Sequence, residues 1–459
     1  MKIFDIREFG AVEGAGHDAG SAIAAAVAEA SRHGGEVLIP SGTWHTGPVT
    51  LASGITFRLA EGSRLVFIPD EDLYVPVYSR WEGVSCWCMH PCLFISESHD
   101  VTVTGTGVID GSGKSWWESA RRKRALHMKP ETPMEKKLAA LNPGYADQPG
   151  GGGGRQCQFL RPPLLQILDS TRVTVEGVTL TGSPFWTLHP VFSSGLTFRD
   201  VKIINPADAP NTDGIDIDSC QDVMVTGCLV DVGDDGIALK SGSGPDGIAA
   251  GRPTRNVRVS GCTVRSAHGG IVIGSETAAG ISGLVAEDCL FDGTDRGIRI
   301  KTRRGRGGAI SDLRFERLTM RNNLCPLAIN MYYRCGTTEG SLFSLSPEPI
   351  DDTTPSIGNI LVRDCVATGS QASAGFIVGL PERPITELVV EDSSFGVMPE
   401  SNVSTDESDM FLGLPHVDGR GIRLRNVQGD FRSVKVEGTV PIFVREEGID
   451  VRFWNRKKT

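Results

Sequence analysis

The chain repeats itself, and that restricts it to few folds. The segments 173-VTVEGVTL, 196-LTFRDVKI, 223-VMVTGCLV, 257-VRVSGCTV, 284-LVAEDCLF, 313-LRFERLTM, 360-ILVRDCVA, 388-LVVEDSSF and 422-IRLRNVQG share one pattern. Each is a short alternating strand, a polar or Gly break, and a second short strand. Their starts lie 23, 27, 34, 27, 29, 47, 28 and 34 residues apart. A loose period with variable insertions is the signature of a solenoid whose loops differ from coil to coil. A further strand sits inside most repeats as Gly-apolar-x-apolar: 214-GIDI, 236-GIAL, 270-GIVI, 297-GIRI and 375-GFIV, with Pro for Gly in 184-PFWT and 326-PLAI.

Two or three short strands per coil over about ten coils give an all-β, right-handed parallel β-helix, expected to form a single domain over 1–459. A leucine-rich repeat lacks support because its Asn/Leu spacing is missing. A doubly wound α/β fold would need helices where these connections are Gly-rich. One helix is expected near the start, in the Ala-rich stretch Gly20–Ser31 that ends at His33-Gly34-Gly35. It is read as a cap over the open N-terminal end of the solenoid, about residues 19–33. Two insertions, 111–163 and 334–357, are expected to wall a cleft.

The repeat also explains the cysteines. Cys228, Cys262, Cys289 and Cys365 share a register with Val178, Val201, Leu318 and Val427, so they are expected in a buried ladder. Cys86, Cys88 and Cys92 have no zinc-spaced partners, and no nucleotide or flavin motif occurs, so neither cofactor nor metal is expected. The net charge of −10 argues against nucleic acid, and no apolar run is long enough to span a membrane. The N-terminus lacks an apolar signal core, and reduced cysteines fit a reducing compartment, so a cytoplasmic location is expected. The chain is read as acting alone or as a homo-oligomer.

In Gly-apolar-x-apolar the x points away from the core, and so does the residue two further on. Down the stack these slots read Trp186, Asp216 and Asp218, Ala238 and Lys240, Val272 and Gly274, Arg299 and Lys301, Ala328 and Asn330. Just before the Gly come Asp213, Asp234 with Asp235, and His268. Rungs about 4.8 Å apart then gather three carboxylates, an imidazole, a guanidinium and an ammonium. Each Asp alone fits a turn that bonds its own backbone. Three together, beside Arg and Lys, repel one another and fit an acid–base site better.

The blocks 211-NTDGIDIDS, 233-GDDGIALKSG, 267-AHGGIVIGSE and 299-RIK, in this order, resemble the four signatures of the polygalacturonases, glycoside hydrolase family 28. Ala267 stands where the family's third signature usually has Gly. The flanks 183-SPFWTLHP and 331-MYY resemble bacterial members, and the likeness runs from about Phe9 to the last coils. It implies an inverting hydrolase of α-1,4-galacturonosyl bonds in pectic oligo- or polygalacturonate. Asp234 would be the general acid, Asp213 and Asp235 the water-activating pair, and His268 the support of the acid. Arg299 and Lys301 would grip the substrate carboxylate, with Asn211, Asp216, Lys240, Trp186 and Tyr332 around the sugar.

Acid and base are expected roughly 6.5–9.5 Å apart. Arg303, Arg304 and Arg306 fit a solvated loop as well as a cationic wall. The insertions suggest exo action, with Trp116, Trp117, Arg122, Arg124 and Arg155 near a terminal uronate and Arg80 with Trp81 joining them or packing. The rival readings are a hydrolase of another pectic polymer such as rhamnogalacturonan, a Ca²⁺-dependent pectate lyase on the same solenoid, and a structural fibre.

Overall fold

The computed structural model describes residues 2–126, 128–144, 160–337 and 339–454. Its contacts gather into two compact units, Met1–Asp234 and Asp235–Thr459. Each is a stretch of right-handed parallel β-helix. In each unit three strands per coil stack on the equivalent strands of the next coil. Long strands such as Ser194–Arg199 and Gln221–Thr226 form one sheet in the first unit, and Thr254–Ser260, Ile281–Glu287 and Ala309–Glu316 form its counterpart in the second. Three-residue strands such as Thr179–Thr181 and Thr263–Arg265 form another. The Gly-apolar-x-apolar strands form the third, here called the site sheet.

The register places like on like. Ile271, Ile298 and Leu327 stack, and so do Ile273, Ile300 and Ile329. Each such buried side chain contributes roughly 1.5–3 kcal/mol by leaving water. Cys228, Cys262, Cys289 and Cys365 are free thiols on this inward register and are buried with Val178, Val201 and Leu318. The bends between strands carry residues in the left-handed region, among them Asp200, Gly227, Gly261, Asp288 and Asp364. Gly, then Asp and Asn, tolerate it best, which explains the polar or Gly break of the repeats.

The helix α1 (Gly20–His33) forms where the Ala-rich stretch requires it and stops at Gly34 with φ of 66°. Ala22, Ile23, Ala26, Val27 and Ala30 are its buried face, packed on the first strands Lys2–Asp5 and Gly35–Ile39. The insertion at 111–163 is not a plain loop. It holds α2 (Lys114–Ala125) and α3 (Pro133–Leu141), the latter started by a capping box between Thr132 and Glu135. Pro149, the glycine run at 150–154 and Arg155 lie outside the described residues. A two-stranded antiparallel hairpin, Pro76–Trp81 with Val84–Met89, stands outside the repeat altogether.

The site sheet departs from the sequence expectation of a half-buried strand with open outer slots. Every position of Ile215–Asp218, Asp235–Lys240, Gly269–Gly274, Arg296–Lys301 and Cys325–Asn330 is buried. The outward slots are outward from the core but lie under other chain segments. In the first unit the hairpin supplies a cover: Arg80 reaches Asp218 at 3.1 Å and Ser79 donates to Gln166 at 2.6 Å. In the second unit, segments around 340–354 and 404–412 cover the sheet.

Candidate active site

In the first unit the turn before strand Ile215–Asp218 carries Asn211, Thr212 and Asp213. Asn211 adopts a left-handed backbone, φ 56°, and Thr212 donates to the carbonyl of Ala209 at 3.0 Å, which tightens the turn. Asp213 is buried at 3 % exposure, whereas Asp234, at the end of the unit, is half-buried. One carboxylate oxygen of each lies within 4.8 Å of one from the other. Arg161, which belongs to none of the sequence motifs, joins this turn. It donates to Asn211 Oδ1 at 3.2 Å and to the carbonyl of Pro184 at 2.6 Å, with its guanidinium 5.2 Å from the Phe185 ring. Burial pulls its pKa down to about 10, and the charges of Glu82 and Asp213 resist the fall.

The second unit begins with Asp235, which pairs in register with Gly269, the residue after the half-buried His268. Lys301 Nζ donates to Asp235 at 2.6 Å and Arg299 Nη1 approaches it at 3.5 Å. Two glycines on the strand beside Asp235 have no room for a side chain: a Cβ on Gly269 would run into Val272 Cγ2 at 2.6 Å, and a Cβ on Gly270 into the buried Phe291 ring. Arg299 Nε and Nη2 both donate to Asp409 Oδ1, at 3.1 and 2.7 Å. Burial raises the Asp409 pKa, but Arg299 and Arg296 outweigh it and the net shift is downward. Tyr333 lies against the same cations, its ring 5.4 Å from Arg299 and 5.3 Å from Lys301.

The outward register is therefore as expected: Val272, Arg299 and Ala328 share one row, and Gly274, Lys301 and Asn330 the next. Four expected sugar contacts, Trp186, Tyr332, Lys240 and Asp216, are buried side chains. Trp186 is 3 % exposed, stacked on Phe185 and edge-on to His189. Tyr332 is wholly buried with its hydroxyl donating to the carbonyl of Ser344 at 3.2 Å. Its neighbour Tyr333 takes the place beside the cations, because the strand ends at Asn330 and the two-residue alternation stops with it. Lys240 is buried between Glu276, at 3.3 Å, and Asp235, at 4.0 Å, and Asp216 is fully buried. Glu276 is pushed up by burial, but Lys240, Arg306 and Lys301 bring it down to about 2.

Other basic and aromatic residues also differ from the expectation of open contacts. Arg303, Arg304 and Arg306 are buried; Arg304 holds Glu382 through two bonds at 2.6 and 2.8 Å. Trp117 donates to the carbonyl of Ser183 at 2.8 Å and Trp116 packs edge-on to Tyr74. Trp81 stacks on Phe185 at 4.6 Å, the packed alternative of the two open to it. Arg122 pairs with Glu131.

Two carboxylates at this spacing suit sharing a proton, positioning a water between them or holding a cation. Asp235 has the Lys301 ammonium at 2.6 Å. The most open carboxylate of the three is Asp234.

A sequence model of the glycosyl hydrolases family 28 matches residues 149–349. A probable polygalacturonase from Vitis vinifera is 29% identical over 378 residues, covering 80% of this chain and 69% of its own. An exopolygalacturonase structure from Thermotoga maritima superposes with a TM-score of 0.78 at 26% identity, over 95% of this chain and 92% of that one. A family 28 exopolygalacturonase from Yersinia enterocolitica has the same fold, with a TM-score of 0.72 at 19% identity over 99% and 77% of the two chains.

Proposed function

We propose, from the match to the glycosyl hydrolases family 28 and the likeness to the Thermotoga maritima exopolygalacturonase, that this chain is a family 28 hydrolase that cleaves α-1,4-galacturonosyl bonds with inversion, from the chain end. The observation that carries the role assignment is the contrast in exposure among the three aspartates. Asp234 alone is half-open, as a proton donor to a leaving oxygen must be. Asp213 lies within 4.8 Å of it, where a water attacking from the opposite face of the sugar can be held. Asp235, paired with Lys301, suits the second half of the base.

The substrate carboxylate finds its counter-charge at Lys301 and Arg299, with the Tyr333 ring beside them. Exo action is supported by the two helices of the 111–163 insertion and by the likeness to the Thermotoga maritima enzyme. Following products of trigalacturonate by chromatography tests it: monomer and dimer should appear first, and polymer viscosity should fall slowly. Rapid viscosity loss with mixed oligomers would overturn the exo assignment. The spacing of Asp213 and Asp234 also fits a cation-dependent lyase. Chelator-sensitive activity with an unsaturated product would favour that reading instead.

A further inference from the structure

The guanidinium of Arg299 has two working edges, and one is already occupied. Nε and Nη2, the pair that forms a two-pronged grip on a carboxylate, both point at Asp409 Oδ1. Nη1 is the group directed towards Asp235. The contact is sealed, with the Arg299 and Asp409 side chains 1% and 0% exposed.

Asp409 does not belong to the coils. It sits on a strap, Thr405–Leu412, tied to the site sheet at several points. Arg296 donates to the carbonyls of Ser408 and Glu407 at 3.0 and 2.7 Å. Ser408 and Ser373 share a hydrogen bond of 2.7 Å. Asn330 donates from Nδ2 to Asp409 Oδ2 and to the Met410 carbonyl, both at 3.1 Å. Phe411 stacks on Phe376 at 5.3 Å. Asp409 also receives the Met410 N–H at 2.8 Å. A carboxylate with this many donors, on a strap this well fixed, is a rigid reference point.

We propose that Asp409 is a positioning residue: it takes the fork of Arg299 so that this side chain serves the reaction through Nη1, which faces Asp235 from the side opposite the fork, beside the Lys301 ammonium. The inference rests on reading Asp235 as part of the base.

A double-mutant cycle on the full-length protein with oligogalacturonate tests it. Asp409→Asn keeps the shape and removes the charge. It should lower kcat by about ten- to a hundredfold, the scale of a misplaced catalytic group, with KM changed less than about twofold. In an Arg299→Gln background the same change should cost less than about twofold, because its route of action is gone. Equal losses in both backgrounds, or a loss confined to KM, would overturn the proposal. A merely structural role would lower the melting temperature and leave this coupling at zero. If Asp409→Asn does not fold, Asp409→Glu carries the same cycle, with kcat expected to fall only where Arg299 is present. Asp235→Asn, measured alongside, separates the two readings. Near-normal turnover there would refute the base assignment while the Asp409–Arg299 coupling would still be read directly.

Discussion

The site sheet and the long-strand sheet are built from the same aliphatic rungs, yet they handle charge in opposite ways. On and beside the long strands, guanidiniums lie open to water. Arg199 pairs with Glu176, Arg317 with Asp288 at 2.8 Å and Arg363 with Glu316 at 2.9 Å, with arginine side chains 56%, 44% and 39% exposed. On the site sheet, Arg80 with Asp218 and Arg299 with Asp409 are sealed from water. An exposed pair contributes about 0–1 kcal/mol. A buried pair costs desolvation on both partners and often does no better than a hydrophobic replacement, so its presence is poor evidence of stabilisation. The long strands carry charge for solubility and register. The site sheet carries it where an anionic substrate must be met in a low-dielectric setting.

The strongest way to break this contrast is at its half-buried carboxylate. Asp234→Asn should lower kcat by about 10²–10⁴-fold with KM little changed, as measured by steady-state kinetics on oligogalacturonate. Near-normal turnover would remove Asp234 from the acid role. Next comes the sealed pair under the hairpin. Arg80→Ala leaves Asp218 buried against Ser219 without its cation and should cost about 3–5 kcal/mol in denaturant unfolding.

The buried charges also predict a pH dependence. Glu276 has a folded pKa of about 2, below its ordinary value, so its contribution to stability is complete above about pH 4.5 and is lost as pH falls towards 2. Glu276→Gln should flatten the pH dependence of the unfolding midpoint in that window, and an unchanged slope would contradict the account. The smallest effect belongs to the long strands. Arg199→Ala should change stability by no more than about 1 kcal/mol, and less in high salt. A loss as large as that of Arg80→Ala would erase the distinction between the sheets.

What the sequence could reveal follows the same division. Residues on strands obey a period of two, so the rows Val272–Arg299–Ala328 and Gly274–Lys301–Asn330 are legible from residue spacing alone. The cysteine ladder and α1 are legible for the same reason: local pattern decides them. Asp409, Arg161 and Arg80 are not. Each reaches the site from a connecting segment: Asp409 is 110 positions from Arg299 and Arg80 is 138 from Asp218, and no period links them. Tyr332 and Tyr333 mark the boundary, since alternation assigns faces only as far as the strand runs. The full burial of the outer slots is illegible too, because the cover comes from the hairpin and insertions, whose sequences carry no repeat.

The central claim is a single displacement by water across Asp234 and its carboxylate neighbours. Proton NMR of the first turnovers on trigalacturonate tests it most directly. Inversion of an α-linkage predicts that the newly formed reducing end appears as the β-anomer and equilibrates afterwards. An α-anomer appearing first, or an unsaturated product, would contradict the account.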